Sequence, residues 1–505
     1  MPPKKKATKK PSLLEKRLHE AAMHIKAGNA HMVSVGLGKL AEQFPKDARV
    51  FDLLASANAN LGKHLDAVAA ARKAVALQPE KVDYRIRFAL YLQNAGEFDE
   101  ALLEYQRALY RSPNNVYILR AIVGLHTDLG DHAKALEALE TLETTIKDLG
   151  LSPKETYGVA LSKARLSPKS IPAQQVIDEL EPLAHDESLP KEFRVNALHN
   201  LGRLYESIED YNHAISSWTE GNSVNKPEWD PDVFTDYINK LIRCWEGIEK
   251  VPAAPIDASN LVFITGMMRS GTSLTEQMLA QLPDVTPGGE LNFVSKAVMP
   301  FESVPCPWLA RPYPVSRLIY NQRVVNEISR TAYKEYAKIA KQGIITDKQP
   351  YNIFYIPLIT RIFPGAKIIH CCRDAQDCCL SNFMQTYARS HPQTHDLYWM
   401  GRYHSDYQRM MDAWHQLPGV DILDVHYEDT VDDPETQSKR VCEFIGQPWT
   451  EQILNFHKSS RTVRTASRDQ VRKPIYKSSV KKHDLFAEHL APLRQGLGIE
   501  QAPTD

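Results

Sequence analysis

Eight consecutive residues, Gly266-Met267-Met268-Arg269-Ser270-Gly271-Thr272-Ser273, carry the plainest chemical signal in the chain. In a loop of this kind, backbone N–H groups and a helix N-terminus converge on an anion, and the glycines permit the tight path. The spacing mimics the G-x4-G-K-[ST] nucleotide loop, but Thr272 stands where that loop has Lys. Phosphoryl transfer from ATP or GTP relies on that Lys and a metal to offset charge on the β and γ phosphates. Here Arg269 supplies the charge, and with Ser270, Thr272 and Ser273 it makes a metal-free cradle adequate for a less charged end group. A second cation, Arg373, precedes Asp374, and Ser381 follows eight residues later. A guanidinium with a nearby hydroxyl suits a terminal phosphate.

These residues need elements to hold them. Leu261-Val262-Phe263-Ile264 reads as a short buried strand, and Leu274 to Leu282 as a helix, which gives the order strand, loop, helix. Ala366 to Cys372 reads as a strand ending at Arg373, and another ends at Val425-His426-Tyr427. The first half obeys a different rule. Pro45, Pro79 and Pro113 are 34 residues apart, and Gly62, Gly96 and Gly130 share the interval, as do Ala67, Ala101 and Ala135. That period belongs to a helix pair with a glycine turn, closed by a proline, with small residues where helices approach closely. These residues resemble the tetratricopeptide repeat (TPR), and Leu201, Gly202, Tyr205, Ala214 and Trp218 match its pattern again later. Stacked repeats imply a superhelix whose groove is suited to a protein or peptide; a spacer or dimerisation platform is the alternative.

The segment from Gly266 through Leu274-Thr275-Glu276-Gln277 resembles the 5'-phosphosulfate loop of sulfotransferases that use 3'-phosphoadenosine-5'-phosphosulfate (PAPS). Arg373 and Ser381 are similar to that family's 3'-phosphate site, and Tyr427-Glu428-Asp429 to its Y-E-D segment beside the adenine. Ser467 to Pro474 resembles a late segment of tyrosylprotein sulfotransferases and of bacterial repeat-bearing relatives, so Gln470 and Arg472 are implied cofactor contacts. Lys482 keeps a cation where bacterial relatives have G-R-W-R, although the aromatic is lost. The resemblance also implies the catalytic groups. Glu290, after Gly288-Gly289, matches the family's base; Lys348, in Thr346-Asp347-Lys348-Gln349-Pro350, matches the Lys facing the bridging oxygen; Ser467 assists. His370, His391, His395 and His404 are rival bases outside the matching positions and read as surface or packing residues.

With 505 residues, more than one hydrophobic core is expected. Lys+Arg 61 against Asp+Glu 62 gives a net charge of -1, so no global field recruits nucleic acid or a membrane. No run of about twenty apolar residues is present, and a cytoplasmic, thiol-reducing setting is expected for the seven cysteines. Cys371, Cys372, Cys378 and Cys379 lack C-x2-C spacing and read as core residues rather than a zinc site. The expected organisation is a Lys-rich tail over 1–11, a TPR-like domain over 12–250, a linker over 251–260, a doubly wound, mostly parallel α/β sulfotransferase domain over 261–495, and a flexible end over 496–505. The acceptor stays open between a peptidyl tyrosine, a carbohydrate and a small phenol. A TPR scaffold with an inactive P-loop-like domain is the non-enzymatic alternative.

Overall fold

The computed structural model describes residues 12–301, 319–387, 391–458 and 474–499. The chain divides into two compact units, 1–183 and 184–505. Along the first run α1 (Leu13–Lys26), α2 (Ala30–Gln43), α3 (Ala48–Asn60), α4 (His64–Leu77), α5 (Val82–Ala95), α6 (Phe98–Arg111), α7 (Val116–Leu129), α8 (His132–Leu149), α9 (Pro153–Leu166) and α10 (Ala173–Ala184). This is a stacked, TPR-like helical array. Gly96 and Gly130 cap α5 and α7 at φ 85° and 79°, a left-handed conformation that L side chains rarely adopt. Pro45, Pro79 and Pro113 each sit just past a helix end, where no helical N–H is missed. Ala67, Ala101, Ala108 and Ala135 have no exposed surface, and the first three pack among Phe51, Phe88, Leu92 and Tyr105. A larger side chain at these positions would overpack the seam and cost about 1–3 kcal/mol.

The second unit opens with three more helices, α11 (Lys191–Ser207), α12 (Tyr211–Val224) and α13 (Pro231–Trp245). The repeat pattern therefore extends past the point where packing divides the chain. In α11 Gly202 makes room for Trp218, since a Cβ there would meet the indole at 2.4 Å. The same helix pair closes the end of a helix of the α/β layer: His199 Nδ1 meets the carbonyl of Met384 at 3.2 Å, and Asn222 Nδ2 donates to that of Phe383 at 2.9 Å. Two carbonyls that a helix end leaves unpaired are satisfied in this way. Whereas sequence placed the change of domain at 250, side-chain packing joins 191–245 to the α/β layer, because Phe234 stacks on Tyr403 (4.8 Å) and Trp229 meets Trp399 at a tilt (5.6 Å).

The α/β layer runs β1 (Leu261–Gly266), α14 (Thr272–Leu279), β2 (Val285–Pro287), α15 (Phe293–Val298), α16 (Gln322–Tyr336), β3 (Ile344–Asp347), α17 (Ile356–Ile362), β4 (Lys367–Cys372), α18 (Ala375–Phe383), α19 (Leu397–His415), β5 (Ile422–His426), α20 (Tyr427–Asp432), α21 (Pro434–Ile445) and α22 (Ala491–Leu497). The strands form one parallel sheet in the order β2-β3-β1-β4-β5. β1 is buried along its whole length, as a central parallel strand must be. Val262, Ile264 and Ile369 face Met278, Leu279 and Val441 on one side. On the other, Phe263 stacks on Phe363 at 6.0 Å and meets Tyr336 edge-on. Among the described residues, no helix is long and apolar enough to cross a membrane.

Candidate functional site

Every strand of the sheet delivers one candidate residue at its C-terminal end. The order across the sheet is Glu290 after β2, Lys348 after β3, the Arg269 loop after β1, Arg373 after β4 and Tyr427 after β5. Connections from β1 and β4 leave in opposite directions, which makes the crevice between those two strands the place where an α/β sheet takes a ligand. With strands about 4.8 Å apart, the Lys348 strand and the Arg373 strand are separated by roughly 10 Å. One extended nucleotide spans that distance.

At the arginine end, Gly266 (φ 144°) and Gly271 (φ 106°) shape the loop. A Cβ on Gly266 would come within 2.5 Å of the Cys371 carbonyl oxygen, so β1 and β4 can approach here only without a side chain. Arg269 itself is left-handed, φ 68°, a strain tolerated where surrounding contacts over-determine it. Those contacts come from α18: Asn382 Nδ2 donates to the Met268 carbonyl (2.8 Å), and Arg269 Nε donates to Ser381 Oγ (3.0 Å). Arg373 donates to the carbonyls of Arg269 (3.1 Å) and Ser479 (2.6 Å) and lies 4.9 Å over the Tyr427 ring. Burial pulls the Arg269 guanidinium below the ordinary arginine value, and the like charge of Arg373 adds to the effect. Burial raises the Tyr427 hydroxyl. Arg373 Nε and Ser270 Oγ are buried without a hydrogen-bond partner. Two cations and an unmatched hydroxyl are what an oxyanion would satisfy. The two guanidiniums border a cleft that Thr272, Ser273 and Tyr427 also line.

The other end is an ion pair. Lys348 Nζ stands 2.6 Å from Glu290 Oε1, with the Lys side chain 2% exposed and the Glu side chain 46%. Glu276, buried in α14, holds the turn before Glu290: its Oε1 accepts from the Gly289 N–H (2.8 Å) and from Thr346 Oγ1 (3.0 Å). Gly288 N–H donates to the Thr346 carbonyl and Lys348 N–H to that of Gly289, so the β2 and β3 ends are zipped together. Next to Lys348, Asp347 is wholly buried and its carboxyl is pushed up to about 7 by burial, against a hydrogen bond from the Tyr336 hydroxyl. Burial likewise raises the hydroxyls of Tyr351 and Tyr387, and the Glu290 charge adds to both shifts.

Several residues fall elsewhere. Ser467, Gln470 and Arg472 lie outside the described residues. Lys482 pairs with Glu206 of α11 at 2.5 Å and is not among the residues lining the cleft. The segment carrying it is instead anchored by Asp377, which accepts from the backbone N–H of Lys481 (2.7 Å) and of His483 (2.8 Å). Among the histidines, His391 stacks on Tyr351, and burial lowers both His391 and His404 to about 4, so both are neutral packing residues. Cys371 and Cys378 are buried thiols, each raised to about 12 by that burial. Glu276, Asp377 and Asn382 were not singled out in the sequence, because each acts by holding a loop.

The sequence matches a family described as "Sulfotransferase family" over residues 261–451. An uncharacterized protein of Aquifex aeolicus (strain VF5) is 29% identical over 423 residues, 81% of this chain and 54% of that protein, so the chain spans about half the length of this relative. Protein-tyrosine sulfotransferase A of Caenorhabditis elegans is 25% identical over 263 residues, 48% of this chain and 68% of that one. The sulfotransferase domain of the Synechococcus PCC 7002 olefin synthase is a solved structure with 18% identity and a TM-score of 0.34, covering 49% of this chain and 98% of that one. The parallel sheet and the loop after its central strand thus belong to a sulfotransferase-family domain in the C-terminal part of the chain, preceded by a TPR-like helical region and distantly similar to protein-tyrosine sulfotransferases.

Proposed function

We propose that the protein transfers a sulfuryl group from PAPS to a hydroxyl acceptor, and that the acceptor is a peptidyl tyrosine. The observation that carries the reading is the polarity of one sheet edge: paired guanidiniums and an unmatched Ser270 hydroxyl on one side, a Glu–Lys pair on the other. Arg373, with Tyr427 beneath it, would hold the 3'-phosphate end; the backbone of 269–273 with Thr272 and Ser273 would hold the 5' end. Leu274, Phe456 and Ile475 give the cleft an apolar side fit for an adenine ring. PAPS, when bound, supplies the sulfuryl group and a bisphosphate leaving group.

Glu290 takes the proton of the acceptor hydroxyl as its oxygen bonds to sulfur and the bridging S–O bond breaks. Protonation neutralises Glu290, which weakens its hold on Lys348. The Lys348 ammonium is then available to the charge developing on the departing oxygen, an interaction stronger in the transition state than before it. Glu276 keeps Glu290 in reach of both partners. The similarity to protein-tyrosine sulfotransferases and the suitability of a TPR-like array for protein partners support the peptide acceptor.

The test incubates the purified full-length chain with radiolabelled PAPS and three acceptor sets: tyrosine peptides, carbohydrates and small phenols. Label is expected on tyrosine peptides. Label on carbohydrate or phenol alone would replace the acceptor and keep the reaction. No transfer to any set, with no calorimetric heat from adenosine 3',5'-bisphosphate, would leave the scaffold reading standing.

A further inference from the structure

On the face of the sheet opposite the α14 side, β4 and β5 bring a second set of reactive side chains together. His370 and Cys372 alternate with Ile369 and Cys371, which point into the α14 core, so the first pair faces the other way. Asp424 is the register partner of His370 on the neighbouring strand. His370 Nδ1 is 2.7 Å from Asp424 Oδ1 and 3.3 Å from Cys372 Sγ, and one ligand atom from each of the three residues lies within 4.8 Å of the others. His415, at the end of α19, brings its Nε2 to 3.2 Å from the same carboxylate oxygen.

From this geometry we propose a binding site for a zinc-class divalent cation on His370, Cys372, Asp424 and His415. Tetrahedral ligand atoms lie about 3.2–3.7 Å apart, which is about 1.6 times metal–ligand bonds of roughly 2.0–2.3 Å. Two of the observed separations, 3.3 and 3.2 Å, already approach that edge length. The His370–Asp424 contact must open by about half an ångström, and His415 must rotate to close the fourth position. Its side chain is 32% exposed, and Asp424 at 36% leaves a path from solvent. The outer shell is also in place: His370 Nε2 hydrogen-bonds the hydroxyl of buried Tyr407, which fixes the ring and leaves Nδ1 for the metal. Binding releases the Cys372 thiol proton to solvent, and the imidazole proton stays on Nε2. The cation would clip β4 to β5 one residue before Arg373, and the site stands whether or not the chain transfers sulfate.

The experiment strips the full-length chain with a chelator and reloads it with Zn2+ or Co2+ alone. One ion per chain, a thiolate-to-cobalt absorption band and a higher unfolding temperature with zinc are expected. Cys372→Ser should lose the band, while Cys378→Ser, a buried thiol outside the cluster, should keep it. Tyr407→Phe should weaken zinc binding by about 10- to 100-fold, as removal of an outer-shell partner does. His415→Gln, a partly exposed change that leaves the core intact, should weaken it at least as much. Failure of the unaltered chain to retain stoichiometric metal would overturn the proposal. So would a band that survives Cys372→Ser, or zinc affinity unmoved by both Cys372→Ser and His415→Gln.

Discussion

The two ends of the candidate site hold charge in opposite ways. Arg269 donates to Ser381 Oγ and Arg373 to two backbone carbonyls, neutral oxygens that do not cancel a guanidinium's charge. Glu290 and Lys348 instead neutralise each other at 2.6 Å. A binding end needs a fixed field, and fixed fields are built from backbone carbonyls and helix ends that do not move. A reacting end needs charge that appears only when a proton moves, and an ion pair stores it until then. The arginine end should therefore govern affinity, and the Glu–Lys end the rate.

The sharpest way to break this contrast is to change one end and read both quantities. Glu290→Gln should reduce transfer by about 10²- to 10⁴-fold, the range of general-base catalysis, while calorimetry gives an unaltered Kd for adenosine 3',5'-bisphosphate. Normal transfer by this variant would remove Glu290 from the base role. Lys348→Met keeps the buried stem packed and removes the ammonium; a loss of about 10²- to 10³-fold in kcat is expected from single-turnover rates. Equal weakening of nucleotide binding would place Lys348 at the binding end. Arg373→Ala should do the reverse and weaken the bisphosphate by roughly 10- to 150-fold, the worth of a charged hydrogen bond of about 1.5–3 kcal/mol. An unchanged Kd there would undo the assignment. Smaller again is the positioning effect of Glu276. Glu276→Ala should lower kcat by about tenfold with KM held, and Glu276→Gln, which keeps an acceptor for Gly289 N–H, should restore most of it.

How much of this was legible in the sequence differs by the range of the contact. Gly96 and Gly130 declare their helix ends because a left-handed residue is needed there, and the 34-residue interval arises from that local need. The β1 loop is legible for the same reason: Gly266 and Gly271 have conformations that few residues adopt. Arg269 has such a conformation too, but nothing local in an arginine announces it. Lys482 shows the limit of motif position, since an opposite charge on α11, more than 270 residues earlier, claims it. Glu276 and Asp377 were invisible because each holds a loop through backbone N–H groups, which every residue has. The joining of 191–245 to the α/β layer rests on aromatic contacts such as Phe234–Tyr403, which periodicity cannot foresee.

Asp347 refines the contrast at the reacting end with the smallest effect on transfer. Its carboxyl loses a proton near 4 in an unfolded chain but holds it to about 7 when buried beside Lys348. Between those values the folded state binds more protons than the unfolded one, so stability falls as pH rises through the window and levels off above it. The slope cannot exceed about 1.4 kcal/mol per pH unit, one proton's worth. Asp347→Asn carries no such proton and should flatten the curve. All seven tryptophans lie between 218 and 449, so indole fluorescence during denaturation reports on the second unit without interference from the first. Midpoints measured from pH 4 to 8 should converge for the two proteins at low pH and separate toward neutrality, with Asn the more stable. Parallel curves would mean that Asp347 is ionised throughout, and the Glu290–Lys348 pair would then lie beside a fixed negative charge instead of a neutral acid.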